Sequence, residues 1–319
     1  MDLSQYVHTF GHDLQARHGR RVHKVALNVG FTCPNRDGTK GRGGCTFCNN
    51  ESFAPERQPS RSVSEQIGSG ALAVQRLTGA RKLMAYFQAY TNTYAEIDRL
   101  RRLYDEALAH PDVIGLSVGT RPDCVPLEVL DLLAGYRDQG YEVWLELGLQ
   151  SAFDETLAKV NRGHGFAEYA ETTRQARARG LPVCTHLILG LPGENADHAR
   201  ETLRQVLDVG TDGLKLHPLH VVKATMLAFQ WKRGEYTPMR ESDYVEQCID
   251  LIAQTPPEVV FHRLTGTASA DILLAPAWCE HKWPVINAIT RGLAARGLSQ
   301  GTALGRPYRQ ESAHDGIAA

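Results

Sequence analysis

Short apolar runs rich in β-branched residues recur along the chain at Val25–Val29, Leu83–Phe87, Ile114–Val118, Val143–Leu149, Val183–Leu189 and Leu214–Leu216. Each has the length of a strand buried on both faces, where continuous hydrophobicity replaces in-out alternation. Between them lie segments with apolar positions at helical spacing: Ser64–Leu77, Tyr94–Ala109, Leu127–Gln139, Ala167–Arg179 and Asn195–Val209. Gly140, Gly180 and Gly210 follow three of these, where a left-handed residue ends a helix. Strand and helix alternating at this interval predict a parallel sheet with right-handed crossovers. Six such units predict an α/β fold, a partial (β/α)6 barrel of TIM type, with its chemistry in the loops after the strands. The alternation fades after about Val221. Residues 1–24 read as a helical, basic lead-in and 25–222 as the barrel. Residues 223–319 read as a mainly helical extension packed on it, with a further strand signal at Val259–Leu264 and a mobile polar tail from about Gln310.

Composition narrows the classes. The 319 residues are 42% apolar, 22% charged and 8% aromatic, which excludes a disordered or collagen-like chain. Lys and Arg number 35 against 36 Asp and Glu, a net charge of −1, so any contact with nucleic acid must be a local patch. No apolar run is long enough to span a bilayer, and Met1–Lys24 is too polar for a secretory leader, so a cytoplasmic protein without a membrane partner is expected. Seven cysteines, an odd number with no export signal, point to thiol chemistry or metal ligation rather than disulfides.

Three of the cysteines follow the first strand directly, as Cys33, Cys45 and Cys48 in a C-x11-C-x2-C spacing. Thiolates are soft ligands suited to zinc or iron–sulfur sites, and Gly38, Gly41, Gly43 and Gly44 let the loop fold tightly between them. A structural zinc site needs four ligands, and the nearest candidate, His23, precedes the strand and falls at its opposite end. A dithiol redox site would use Cys45 and Cys48 and leave Cys33 without a role. Three cysteines on a cubane cluster would leave one iron open to an external chelator. Three readings stay open on the residues alone: a cluster enzyme, a zinc-stabilised RNA-binding module without catalysis, and a dithiol redox protein.

The cysteine loop resembles that of the radical S-adenosylmethionine (SAM) superfamily. Most of the superfamily uses C-x3-C-x2-C. The longer first gap is similar to that of the branch containing the elongator catalytic subunit and the YhcC/YtqA family of stand-alone bacterial proteins, and the likeness runs from about Val25 to Val222. The resemblance implies a [4Fe–4S] cluster on Cys33, Cys45 and Cys48, with SAM chelating the unique iron. It further implies reductive cleavage of SAM to a 5′-deoxyadenosyl radical, which abstracts hydrogen from a substrate, and an electron donor of flavodoxin or ferredoxin type. Through the elongator branch it implies tRNA, at the wobble uridine. Basic residues at Arg17, Arg20, Arg21 and Lys24, at Arg36, Lys40 and Arg42, and at Arg57 and Arg61 are candidates for contacting it.

The resemblance extends to the other strand ends. Leu145–Ser151 and Val160–His164 imply Gln150 near the SAM ribose and Arg162 on the methionine carboxylate, a fork that a planar guanidinium matches. Glu146, an acid inside a strand, can equally satisfy a neighbouring lysine. His186–Glu194 resembles the segment that packs on adenine, where Gly190 permits close backbone approach. Gly119–Asp123 resembles a Thr-Arg-Pro-Asp segment and makes Thr120 a cofactor-binding candidate. Gln88–Tyr94 stands where much of the superfamily has a glycine-rich turn for the SAM amine, and Thr91 is its candidate. The sixth strand brings Lys215, His217, His220 and Lys223 to the barrel mouth. They suit an anionic or planar substrate, with His217 or His220 as catalytic acid or base. Cys184 and Cys248 read as small hydrophobes, Cys124 as a turn residue, and Cys279 as a packed cysteine or thiol hydrogen donor.

Overall fold

The computed structural model describes residues 2–49 and 61–310; Arg57 and the tail beyond Gln310 lie outside the described residues. The strands are, in chain order, β1 (Val22–Leu27), β2 (Lys82–Phe87), β3 (Val113–Thr120), β4 (Glu142–Gln150), β5 (Val183–Leu189), β6 (Gly213–Pro218), β7 (Val221–Val222), β8 (Val260–Arg263) and β9 (Leu273–Ala275). The helices are α1 (Phe10–His18), α2 (Val63–Thr78), α3 (Ile97–Leu108), α4 (Leu127–Asp138), α5 (Asp154–Lys159), α6 (Phe166–Ala178), α7 (Ala196–Val209), α8 (Met226–Lys232), α9 (Glu241–Gln254) and α10 (Lys282–Ala295). One parallel sheet runs β1-β2-β3-β4-β5-β6-β8, while β7 and β9 form a separate antiparallel pair. Its edges, β1 and β8, do not pair with each other, so the sheet is a half-barrel.

The sheet has seven strands rather than the six expected. The signal at Val259–Leu264 is β8, which lies parallel beside β6. The chain reaches it through β7, α8 and α9, a crossover too irregular to show as one more strand–helix interval in the sequence. Elsewhere the expected elements form, and for the expected reasons. Ser62 and Glu65 close a reciprocal capping box on α2. Gly140, Gly180 and Gly210 take positive φ values of 91°, 69° and 98° just past α4, α6 and α7.

Strand alternation sorts side chains into two cores. Val143, Leu145, Leu147 and Leu149 of β4 face the helices, where each fully buried aliphatic contributes roughly 1.5–3 kcal/mol. Trp144, Glu146, Gly148 and Gln150 alternate with them and face the barrel interior. At the N-terminal end of the barrel, Phe10 and Leu14 of α1 form a plug with Val22, Met84, Trp144, Cys184 and Val260. The Phe10 ring stacks on His262 at 3.8 Å. Cys184 is fully buried there, a small hydrophobe as its strand position suggested.

Above the plug lies a charged layer. Glu146 is completely buried and receives Lys24 Nζ at 2.5 Å, His186 Nε2 at 2.8 Å, Lys215 Nζ and the Ser117 hydroxyl. Burial alone would raise its carboxyl pKa, but Lys215 and Lys24, with bonds from His186 and His262, outweigh that and hold it well below the usual carboxylate range. The layer removes Lys24 from the basic lead-in expected to face RNA, because its ammonium is committed to Glu146. Arg17 is likewise committed, to Glu142 at 2.6 Å and Asp13 at 2.8 Å, beside the plug. Among the described residues no helix is long and apolar enough to cross a membrane.

Replacing Glu146 with Ala leaves two ammonium groups without their carboxylate and is expected to cost about 3–5 kcal/mol in urea denaturation at neutral pH. The depressed carboxyl contributes fully above the unfolded value of about 4.3, and the contribution fades as pH falls through the lower folded value. The gap between wild type and Glu146→Ala should therefore narrow in acid.

Candidate active site

At the C-terminal ends of the strands a single cavity gathers Cys33, Cys45, Cys48, Thr91, Thr120, Gln150, Arg162, His217 and His220. Among the cofactor-binding candidates, Gly190 stands apart. It does not line the cavity; its carbonyl accepts the Tyr236 hydroxyl at 2.8 Å, and Met239 packs where a Cβ would project. Lys215 and Lys223, also read at the mouth, are both engaged: Lys215 with Glu146 and the Tyr86 hydroxyl, Lys223 with the Asp271 carbonyl.

The cysteine loop is held by its own polar groups. Asn35 donates to the Asn161 carbonyl at 2.5 Å and to Cys45 Sγ at 3.7 Å, and Asn161 donates back to the Gly44 carbonyl at 2.7 Å. Gly41 is required here, since a Cβ would stand 2.6 Å from Asn35 Oδ1. None of the three is in a disulfide among the described residues. Burial first, and then the neighbouring Cys45 and Cys33, push the Cys48 thiol up to about 12. Three thiolates this close are unfavourable without a cation among them, a cost that a bound metal removes.

Two arginines complete this end. Arg162 is buried, donates to Cys45 Sγ at 3.5 Å and to the Gly148 carbonyl, and keeps its Nε without a partner among the described residues. Arg121 forks onto Asp123 with two 2.9 Å bonds and keeps Nη1 unpartnered. Burial opposes the charge on Asp123, but Arg121 and Lys40 prevail and hold it at about 2. Thr120 shares a 2.6 Å hydroxyl pair with Thr93, and Asn92 ties the β2 loop to the Phe87 and Gly119 carbonyls. Gln150 has a φ of 83°, left-handed for a residue with a side chain, at a register shift between β4 and β5. Strain of this kind persists where surrounding structure holds a side chain at a functional position.

Another part of the wall is built by β6, β8 and their loops. Burial, then the charge of Arg263, keeps the His217 pKa well below its ordinary value, and burial brings His220 down to about 4. Both are neutral imidazoles at pH 7. Arg36, read in the sequence as a basic candidate, lines the cavity too, as do Arg121 and Gln88, which the sequence offered only within longer segments, and Arg263 and Tyr86, which were not singled out. Arg121 stands inside the quoted Thr-Arg-Pro-Asp segment, and Arg263 ends β8, so counting that strand would have reached it. Cys279 is buried outside the cavity lining. Glu146, Cys184 and His186 place ligand atoms within 4.8 Å of one another, but two ammonium groups already occupy Glu146, so this trio repels a cation.

The donor set fits an iron–sulfur cluster with an external chelator: three soft thiols and unpartnered guanidinium N–H groups suited to a carboxylate, with no carboxylate in the cavity wall among the described residues. His23, the one candidate for a fourth zinc ligand, lies on β1 at the end away from the cavity, and Cys33 shares the cavity with Cys45 and Cys48.

Fold and site together define a parallel half-barrel enzyme with a thiol-ringed cavity at the strand ends. The family model described as the Radical SAM superfamily matches residues 27–206, the Radical_SAM C-terminal domain matches residues 211–295, and the chain belongs to the radical SAM superfamily. It is 53% identical over 308 residues to protein YhcC of Escherichia coli K12, covering 97% of this chain and 98% of that protein. It is 36% identical over 166 residues to a tRNA uridine(34) acetyltransferase of Dehalococcoides mccartyi, covering 51% of this chain and 35% of that one. Among solved structures, archaeal Elp3 of Methanocaldococcus infernus superposes with a TM-score of 0.63 at 20% identity over 88% of this chain and 64% of that one, a likeness of fold.

A Cβ on Gly148 would stand 2.8 Å from both Arg162 Nη2 and Gln150 Nε2, the mobile ends of two cavity side chains. Gly148→Ala should therefore move both and weaken SAM binding in equilibrium dialysis at least ten-fold, while the urea midpoint shifts little.

Proposed function

We propose that Cys33, Cys45 and Cys48 hold a [4Fe–4S] cluster and that the cavity beside them binds SAM. The observation that carries this reading is the meeting of three thiols outside any disulfide with N–H groups of Arg121 and Arg162 that are unpartnered among the described residues, all on one cavity. When bound and reduced, the cluster supplies one electron that splits SAM into methionine and a 5′-deoxyadenosyl radical, which takes a hydrogen atom from the substrate. The chain's own residues bind and orient. Arg162, fixed by the Gly148 carbonyl, presents Nε to a carboxylate, and Gln150 is aimed into the cavity by its left-handed backbone. Thr120 and Thr91 line the wall between them. Phe47, Ile188, Leu219 and Val222 make the remaining wall apolar, which excludes water from a reactive species. Neutral His217 and His220 can accept a proton or direct a hydrogen bond, and neither carries an imidazolium proton at neutral pH.

The reductant is a one-electron donor of flavodoxin or ferredoxin type. For the substrate we propose the wobble uridine of tRNA, on the strength of the relative named as a tRNA uridine(34) acetyltransferase. Arg36 at the cavity and exposed Arg42 on the same loop, rather than Arg17 or Lys24, are the basic residues placed to meet it.

Anaerobic loading with iron and sulfide, followed by dithionite and SAM, should give 5′-deoxyadenosine by chromatography, and each of Cys33→Ala, Cys45→Ala and Cys48→Ala should lose most of the iron and the product. A fully loaded, reduced protein that makes none sinks the radical reading, and a colourless zinc protein establishes the zinc alternative. The tRNA reading expects salt-dependent tRNA binding and an altered nucleoside profile when the gene is deleted; absence of both overturns it.

A further inference from the structure

The cavity is electrically lopsided. Its wall holds arginines and histidines and, among the described residues, no Asp or Glu. Most of the cations nearby are already engaged: Lys24 and Lys215 by Glu146, Arg121 by Asp123, and Arg162 by Cys45 Sγ and the Gly148 carbonyl. Arg36 and Arg263 are different, since among the described residues neither forms an ion pair or a side-chain hydrogen bond. Arg36 belongs to the cysteine loop, whereas Arg263 lines the cavity with His217 and His220. Its charge is felt there, since it contributes to the lowered pKa of His186, His217 and His220.

The backbone explains how Arg263 comes to face inward. Leu214 pairs with Phe261, but Lys215 pairs with Arg263, so the register skips His262. Such an irregularity re-aims a side chain and lets consecutive residues serve the same face. His262 turns down to Lys24 and Glu146, while Arg263 reaches the cavity. Two directed groups stand by it. His220 Nε2 is buried without a partner in a residue only 8% exposed. His217 lies against Gly266, where a Cβ would come within 2.4 Å of Nδ1.

A half-buried guanidinium without a counter-ion among the described residues, next to an unfilled imidazole nitrogen, is an arrangement completed by an anion. Resting on the radical SAM reading, we propose that Arg263, with His220 and His217, binds an anionic group of the substrate, a carboxylate or phosphate, in the same cavity as the cysteines. The wall offers no carboxylate to an ammonium, so a substrate bearing a free amine at this end is disfavoured. The anion can belong to a small carboxylic acid or to a nucleotide phosphate, and the chemistry of the site is the same for both.

Isothermal titration of the anaerobically loaded full chain, with the cluster oxidised so that SAM stays intact, tests this with inorganic phosphate, succinate and uridine 5′-monophosphate in separate arms. Wild type should bind at least one of them in the presence of saturating SAM. Arg263→Gln should weaken that binding ten-fold or more, and Arg263→Lys, which keeps the charge and loses the fork, by an intermediate factor. Tighter binding of succinate than of both phosphates assigns a carboxylate; the reverse assigns a phosphate, and a preference for the nucleotide over inorganic phosphate places it on RNA. Equal affinity in wild type and Arg263→Gln, no anion bound by wild type, or competition between anion and SAM overturns the proposal. Failure of the radical reading shows separately, as absence of 5′-deoxyadenosine from the reduced wild-type protein.

Discussion

The barrel is organised around one buried carboxylate. Glu146 has no access to solvent and stays charged because Lys24, Lys215 and His186 reach it from β1, β6 and β5, with His262 from β8 nearby. Breaking up such a set strands the remaining charges in a medium that solvates them poorly, so strand register is constrained wherever a partner is supplied. A one-residue slip of β6 would turn Lys215 out into the helix-facing core and bring Leu214 or Leu216 in. The layer also sets the levels above and below it. Two residues before Glu146 is Trp144, in the plug; two after it is Gly148, whose carbonyl fixes Arg162. Two residues beyond Lys215 is His217, and one beyond His262 is Arg263. The cavity geometry is thus tied to this interaction, which His186 shares with the cavity wall.

What the sequence made legible followed from periodicity and from spacing. Continuous apolar runs marked β1 to β6 because a parallel sheet buries both faces of its strands, and helix-ending glycines marked α4, α6 and α7. The meeting of Cys33, Cys45 and Cys48 on one cavity was legible because all three follow the first strand of a parallel sheet in one glycine-rich loop. What stayed hidden depended on partners distant in the chain. Lys24 looked like part of a basic surface, yet Glu146, 122 residues away, takes it into the barrel. Lys215 looked like a substrate group for the same reason. Gly190 looked like an open approach for adenine, but Tyr236 and Met239 cover it from a segment with no periodic signature. Short α5, β7 and β9 carry too few residues for a period to emerge, and the place of β8 beside β6 is a fact of topology.

The two ends of the cavity come from different stretches of chain. Cys33, Cys45, Cys48, Arg121 and Arg162 all precede residue 206, within the segment matched by the Radical SAM superfamily model, whereas His217, His220 and Arg263 belong to residues 211–295. The first stretch has strong local constraints: Gly41 and Gly163 leave space for Asn35, which in turn bonds Asn161 and Cys45, so few substitutions there leave the thiols in place. The second is tied to the barrel through the pairing of β6 with β5, through the contacts of Lys215 and His262 with Glu146, and through the core that α9 and α10 share with the sheet. Residues that face a cavity without completing a buried network can change without collapsing the sheet. The wall around the thiols is therefore closely constrained by its own loop, while the charge that the later stretch adds to the cavity comes from Arg263, the residue that the β8 register shift turns inward.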